Sequence, residues 1–201
     1  MNYVKNKDCL ELGFETDLKY LSPQPFLKWA GGKRQLLPVI KKYIPENFNV
    51  YFEPFVGAGA LLFELQPQKA IINDINSELI NCYKVIRDLH IDLIEDLKKH
   101  KNTKEYFYEI REIDRTNLYY ELSAVRRASR TIYLNKTCYN GLFRVNSKGY
   151  FNVPFGNYSN PNIVNCEVIL AINNYFSRNE IIIKNEDFRE IVKDAQQGDF
   201  I

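Results

Sequence analysis

The sequence predicts an α/β fold with a parallel sheet, and three observations carry that expectation. The stretch Tyr51–Leu65, YFEPFVGAGALLFEL, is an apolar run that breaks at glycines and resumes with helix-forming residues. A second apolar run, Ala70–Asp74 (AIIND), ends on an acidic residue, and from Ser77 onward apolar residues recur at helical spacing. Strands alternating with amphipathic helices are expected where parallel strands are joined by crossover helices.

Each element follows from local chemistry. Residues 1–24 mix charges with scattered apolar side chains and read as an N-terminal extension, helical in part, punctuated by Pro23 and Pro25. In PFLKWAGGK, Pro25–Lys33, two glycines precede a lysine, with the only tryptophan, Trp29, just upstream. A phosphate loop would need glycine at Leu27 and Ser or Thr at Arg34, so the likeness to one is superficial. Lys33 on a glycine turn could still reach a carboxylate, and Trp29 could wall a pocket. Leu37, Ile40 and Ile44 predict a helix over Arg34–Tyr43, ended by Pro45. Val50–Glu53 is a buried strand, Gly57 and Gly59 form a turn where backbone can approach a ligand closely, and Ala60–Leu65 is helical. Ser77 caps a long helix through Leu79, Ile80, Tyr83 and Ile86 to Lys98. Lys104–Ile113 and Tyr119–Leu134 are further helices, polar enough to leave the sheet as a lobe. Val164–Tyr175 returns as a helix and Glu180–Lys184 as a short strand. Asp187 and Phe188 follow on the edge where open α/β sheets bind ligands, Ile191 and Val192 suggest a short helix, and Gly198–Ile201 begins another strand.

Strand, glycine turn and helix followed by an acidic strand end form a nucleotide cradle, with Asp74 placed to accept hydrogen bonds from ribose hydroxyls. The glycine spacing bears on which cofactor. A dinucleotide fingerprint needs a third glycine where this chain has Leu62, and a leucine there crowds helix against strand. A cofactor without phosphates needs only the Gly57 and Gly59 turn, and S-adenosylmethionine fits that description. A structural turn is the competing reading, and a dinucleotide-dependent oxidoreductase is a rival that Leu62 argues against.

With a net charge of +2, bulk charge favours no particular partner, so any nucleic-acid reading rests on local distribution. From Leu122 to Cys166 there is no Asp or Glu, while Arg126, Arg127, Arg130, Lys136, Arg144 and Lys148 all fall inside. Within this segment Leu142–Asn146 and Tyr150–Pro154 alternate as two β runs around Ser147–Gly149, a hairpin over 142–156. Arg and Asn can read base edges, and aromatics can stack or wedge. The alternative is a solvated hairpin that packs its aromatics on the lobe. Cys9, Cys82, Cys138 and Cys166 are far apart and read as reduced, isolated thiols; His90 and His100 read as surface helix positions; no metal is expected. There is no apolar run of about 18 residues and no basic-then-apolar leader, so neither a membrane span nor secretion is expected, and the cytoplasm is the expected compartment.

With FLKWAGGK, FEPFVGAGA, NDIN and YNGLFRVNSKGYFNVPFG in this order, the sequence resembles the Dam-like D12 class of DNA adenine-N6 methyltransferases over about Pro25–Ile201. The resemblance implies a Rossmann-like S-adenosylmethionine-dependent methyltransferase sheet with a helical and β-hairpin DNA-recognition lobe. It implies methyl transfer from S-adenosylmethionine to the exocyclic amine of adenine in double-stranded DNA, typically at GATC, with the base flipped out. A housekeeping methylase and the methylating arm of a restriction-modification system both fit. Trp29 and Lys33 match the family's cofactor-binding WAGGK, and Glu53, Pro54, Phe55, Gly57 and Gly59 its methionine-side loop. Asp74 matches the ribose-binding carboxylate, and Asp187 and Phe188 match, more loosely, the adenine-side contact. Tyr139, Asn140, Leu142, Arg144 and Pro154, with Asn146 and Lys148 on the same hairpin, fall in the region that touches the target duplex. The implied division is a cofactor-binding part over 25–100, a target-recognition lobe over 101–178, and a return to the sheet over 179–201.

One departure stands out. The family's Asp-Pro-Pro-Tyr motif, which holds the adenine amine, should follow a stretch like the final GDFI, and it occurs nowhere in the 201 residues. No catalytic residue is therefore assigned. Positioning is worth up to about 7–11 kcal/mol in such reactions, so the expectation is a sheet incomplete at the C-terminus and a chain inactive alone. A truncated fragment and one half of a split enzyme completed by a second chain are equally compatible. A non-catalytic DNA-binding module and an RNA methyltransferase are the rivals. Recognition sequence and oligomeric state are not legible.

Overall fold

A computed structural model describes residues 21–31 and 33–201. The expected extension over 1–24 lies, apart from 21–24, outside the described residues, as does Cys9. The sheet consists of β1 (Tyr51–Glu53), β2 (Lys69–Asn73) and β3 (Glu180–Lys184) in that order, all parallel. Tyr51 pairs with Ala70 and Glu53 with Ile72, while Ile72 pairs with Ile183 on the other side. Phe200 forms a parallel bridge to Tyr51, and its N–H donates to Val50 C=O at 3.0 Å, so the final residues do begin a strand, on the outer flank of β1. β1 is buried at every position, whereas β3 alternates, with Ile181 and Ile183 inward and Ile182 outward. This is the difference between a strand covered on both faces and one covered on a single face.

Helix α1 (Leu37–Ile40) is only four residues, with 3₁₀ turns at Lys33–Gln35 and Lys41–Tyr43 on either side, so the continuous helix expected over Arg34–Tyr43 does not form. Pro38 is the reason: it has no N–H to donate one turn back and its ring crowds that turn. α2 (Ala60–Leu65) and β3 fall where the sequence put them. The single helix expected from Ser77 to Lys98 is two, α3 (Ser77–Asp88) and α4 (His90–Leu97). Its cap is Asn76, whose Oδ1 accepts from Leu79 N–H at 3.0 Å, rather than Ser77. The break at Leu89 is held from outside: Asn173 Nδ2 donates to the Ile86 and Arg87 carbonyls at 3.2 and 2.8 Å, taking up groups a helix end leaves unpaired.

α5 (Lys104–Glu112) is followed by α6 (Leu118–Glu121) and α7 (Ala124–Thr137). The helix expected over Tyr119–Leu134 is divided because Leu122 is extended and Ser123 caps α7, its Oγ accepting from Arg126 N–H at 3.3 Å. α8 (Cys166–Arg178) packs beside β3, and α9 (Phe188–Val192) follows that strand.

Two clusters of buried side chains result. The larger joins the sheet to α2, α3, α4 and α8 through residues such as Leu62, Ile72, Leu79, Ile86, Leu93 and Ile172. The smaller gathers Phe107, Tyr133, Leu134, Cys138, Phe151 and Val153. α7 serves both, with Ala128 and Ile132 in the first and Tyr133 and Leu134 in the second. Cys82 and Cys138 are free and buried, but Cys166 is disulfide-bonded, which overturns the expectation of an isolated thiol there. His100 is no surface helix residue either. Its ring stacks on Tyr133 at 4.3 Å and its nitrogens face Tyr106 Oη and Ser129 Oγ at 3.0 Å each, and burial pushes its pKa down to about 4. Among the described residues no helix is long and apolar enough to cross a membrane.

Candidate functional site

The C-terminal edge of the sheet is where strands end and loops open, and here it is held by an unusual density of side-chain hydrogen bonds. Past β1 the chain turns through Gly57, at φ +53, and Gly59, at φ +77. A Cβ on Gly59 would lie 2.7 Å from both Phe63 Cε2 and Tyr83 Oη, so nothing larger than hydrogen fits there. Asp74 holds the same loop: its Oδ2 accepts from Gly57 N–H at 3.1 Å and its Oδ1 from Asn76 N–H at 3.0 Å. From the other side Tyr83 Oη donates to Gly57 C=O at 2.9 Å. The glycine loop is thus fixed through both polar groups of one peptide-bearing residue.

Asn73, 1 % exposed at the end of β2, ties the strand exits together. Its Nδ2 donates to the Pro54 and Glu186 carbonyls at 3.0 and 2.9 Å, and its Oδ1 accepts from Glu186 N–H at 2.8 Å. Asn185 Nδ2 donates to Asp74 C=O at 2.7 Å. Phe188 then meets Phe55 ring to ring at 5.1 Å. Its neighbour Asp187 is already engaged: it caps α9 and pairs both oxygens with the Arg189 guanidinium at 2.8 Å, which holds its carboxyl well below the usual range.

Lys33 does reach a carboxylate. Its Nζ donates to Glu53 Oε1 at 2.6 Å and to Phe55 C=O at 2.8 Å. Glu53 is 2 % exposed, and its second oxygen, Oε2, is buried without a hydrogen-bond partner. Burial pushes this carboxyl above its usual range, and the Lys33 charge opposes the shift without cancelling it. A buried carboxylate oxygen left unpaired is costly, and it marks a place for a donor. Trp29, Lys33, Phe55, Gly57, Ala58 and Asp74 line a cleft of about 190 Å³. A neighbouring cavity of about 310 Å³, walled by Tyr51, Glu53, Pro54 and Phe200, shares Lys33 and Phe55 with it. Two acidic side chains, Glu53 and Asp74, and one lysine that is already paired with Glu53 line these two cavities, so the edge suits a ligand with a cationic centre better than one with phosphates.

The hairpin presents a different surface. Tyr139, Asn140, Leu142, Arg144, Asn146, Lys148 and Pro154 are all exposed. The two strands expected here reduce to one antiparallel bridge, Val145 to Phe151, with a second, Cys138 to Phe155, at the base. Pro154 has no N–H for a ladder, and a 3₁₀ turn over Tyr139–Gly141 with Asn140 at φ +55 interrupts the first arm. Asn146 Oδ1 closes the tip by accepting from Lys148 N–H and Tyr150 N–H at 3.0 and 3.1 Å. Arg144 Nε donates across the hairpin to Asn152 Oδ1 at 2.8 Å. Inward, Phe151 and Val153 are buried, and Phe151 N–H donates to Asp114 Oδ2 at 2.7 Å. Asp114 also pairs with Arg130 at 2.9 Å, and Arg127 pairs with Glu78. Two cations of the acid-free segment are therefore neutralised by carboxylates from elsewhere in the chain.

The structure brings Trp29, Lys33, Glu53, Pro54, Phe55, Gly57, Gly59, Asp74 and Phe188 to one sheet edge, with Asp187 there but turned to Arg189. It leaves the hairpin residues exposed, and the hairpin meets this edge where Trp29 stacks on Phe143. Asn73, Tyr83 and Asn135, whose side-chain amide bonds Lys28 and Gly141, are supporting residues that sequence reasoning missed. Asn73 could have been found as a polar residue ending a buried apolar strand; Tyr83 and Asn135 carried no local signal.

A family model described as D12 class N6 adenine-specific DNA methyltransferase matches residues 29–201. The type II methyltransferase M1.LlaDCHI of Lactococcus lactis subsp. cremoris is 53 % identical over 180 residues, 89 % of this chain and 63 % of that protein. The type II methyltransferase M.MjaIII of Methanocaldococcus jannaschii is 45 % identical over 158 residues, covering 70 % of this chain and 54 % of its own length. A DNA adenine methylase of Serratia marcescens is 41 % identical over 140 residues, 68 % of this chain and 50 % of its own. The chain thus spans between half and two thirds of these relatives.

Proposed function

Because the chain belongs to the D12 class N6 adenine-specific DNA methyltransferase family, we propose that its sheet edge binds S-adenosylmethionine and its exposed hairpin reads double-stranded DNA. Transfer to adenine N6, with GATC as the target, is the reaction proposed for the protein as a whole, in the restriction-modification or Dam-type role that its relatives' names suggest. S-adenosylmethionine would supply an electrophilic methyl group on a sulfonium. The relatives named above come from two bacteria and an archaeon, cells whose DNA lies in the cytoplasm, and we place the protein there.

The observation that carries the reading is Glu53 Oε2, buried and unpartnered beside the Lys33 ion pair. It would accept from the cofactor's ammonium, with Lys33 holding the carboxylate in place and with Pro54, Phe55, Gly57 and Gly59 shaping the loop around it. Trp29 would wall the cleft, and the lone pairs of Asp74 not used by Gly57 and Asn76 would accept from ribose hydroxyls. Phe188 and Asp187 would lie on the adenine side. On the hairpin, Tyr139, Asn140, Leu142, Arg144, Asn146, Lys148 and Pro154 would face the duplex.

The test is calorimetric titration of this chain with S-adenosylmethionine, beside Glu53→Gln. Wild type should bind, and the variant should lose about 10- to 150-fold in affinity, the worth of a hydrogen bond to a charged group. A folded chain that binds no S-adenosylmethionine, or binds a nicotinamide dinucleotide as well, would remove the reading.

A further inference from the structure

The cofactor-side loop and the recognition hairpin are separate in sequence and in exposure, yet one buried side chain joins them. Asn135, on α7, is 1 % exposed. Its Oδ1 accepts from Lys28 N–H at 3.0 Å, and its Nδ2 donates to Lys28 C=O at 2.8 Å and to Gly141 C=O at 2.9 Å. The amide therefore pairs with both polar groups of one residue, as a neighbouring strand would, and uses its second N–H on the turn that opens the hairpin. A side chain at Gly141, which sits at φ +64, would run into Lys28, so the two segments also touch without a gap. The next residue along the loop continues the connection. Trp29 stacks on Phe143 at 4.7 Å and 25°, and its Cδ1 lies where a Cβ on Gly57 would be only 3.3 Å away. Contact thus runs unbroken from Asp74 and Gly57, through Trp29 and Lys28, to Gly141 and Phe143.

We propose that Asn135 is a positioning residue that couples the cofactor cleft to the recognition hairpin, so that cofactor and duplex bind cooperatively. The inference rests on the reading of the two sites given above. An amide that only filled space at this depth would need to satisfy its own polar atoms; this one spends all three bonds on the two segments that carry the sites, with Lys28 and Asn135 107 positions apart in the chain. A ligand in the cleft fixes the Lys28–Trp29 loop that walls it, and through Asn135 the turn at Gly141 is held as well; a duplex on the hairpin acts in the reverse direction, and either lowers the cost of the second binding event.

The test measures linkage rather than affinity alone. S-adenosylhomocysteine, which cannot donate a methyl group, is titrated into this chain with and without GATC duplex, and the duplex with and without S-adenosylhomocysteine. The ratio of affinities should be about tenfold, within the range usual for coupled sites, and equal in both directions. Trp29 is the only tryptophan in the chain, so its fluorescence reports duplex binding at the cofactor loop without any added label. Asn135→Asp keeps the acceptor for Lys28 N–H but loses both donated bonds, and should bring the ratio close to one and silence the Trp29 response. Phe143→Leu removes the stack while leaving the amide in place, and should lower the ratio partway; it serves also where Asn135→Asp does not fold. An unchanged ratio in a folded Asn135→Asp, or in Phe143→Leu where only that variant folds, or independent binding by the wild type, would overturn the inference while leaving the sites themselves standing. Failure of the wild type to bind the cofactor product at all would remove the functional reading and this inference with it.

Discussion

The sheet edge and the hairpin solve opposite problems. At the edge the backbone is held from every side: Gly57 through its N–H and its carbonyl, the strand exits through Asn73, and Gly59 by the lack of room for any side chain. At the hairpin two isolated antiparallel bridges carry the arms, the tip is closed by one asparagine, and the polar side chains are exposed. A small ligand gains affinity from groups fixed in advance, whereas a large charged partner can itself order the side chains that meet it. The hairpin is anchored on its second arm, near the tip, where Asp114 meets Phe151 N–H and Arg130.

That anchor gives the sharpest way to separate the two regions. Asp114→Ala leaves the Arg130 guanidinium buried beside an empty place, since both side chains are less than a tenth exposed. It should cost about 3–5 kcal/mol in urea denaturation, the usual penalty for breaking a buried pair. Amide exchange should rise first in the hairpin and α5, with the glycine loop protected longer. Equal exchange in both regions would mean that they do not differ in the way described.

The regions should also respond to pH with opposite signs. His100, between α4, α5 and α7, has its pKa lowered from 6.5 to about 4, so the folded state binds fewer protons than the unfolded chain between those values. Stability is therefore full above the ordinary histidine pKa and is lost as pH falls towards 4, by at most about 3 kcal/mol. Glu53, at the sheet edge, is shifted upward, so its folded form binds more protons. Its contribution is full below the usual carboxylate pKa and is lost as pH rises through the raised value. Thermal melts of His100→Gln and Glu53→Gln across that range should each flatten one limb. Glu53→Gln should in addition leave the ligand-free chain no less stable, since it replaces a charge whose second oxygen has no partner.

The smallest expected effect is the most specific. Arg144→Ala, at the exposed face of the hairpin, should lower duplex affinity by about 1–3 kcal/mol at one base pair and leave binding to unrelated sequences largely intact. An even loss over all sequences, measured with a panel of single-base variants of GATC, would make Arg144 a phosphate contact instead.

The residues themselves explain which parts could be read in advance. Tyr51–Leu65 was legible because glycine and apolar periodicity are local signals, and α2 falls where they placed it. The breaks at Leu89 and Leu122 were not, because one depends on Asn173 from a distant helix and the other on a choice between continuing and capping at Ser123. His100 looked like a surface residue because its partners, Tyr106, Ser129 and Tyr133, sit on other elements. The acid-free segment from Leu122 to Cys166 looked uniformly basic for the same reason, with Glu78 and Asp114 supplied from outside it.

By itself the sequence determined the α/β class, the glycine loop with Asp74 after it and the family, since each rests on residue types close together within short motifs. Only the tertiary structure decided that Glu53 keeps an unpaired oxygen beside Lys33, that Asn73 binds the strand exits, and that Asn135 joins Lys28 to Gly141. Those are properties of side chains meeting across long stretches of chain, and a buried polar group takes its value from the partner it finds, which local sequence does not name.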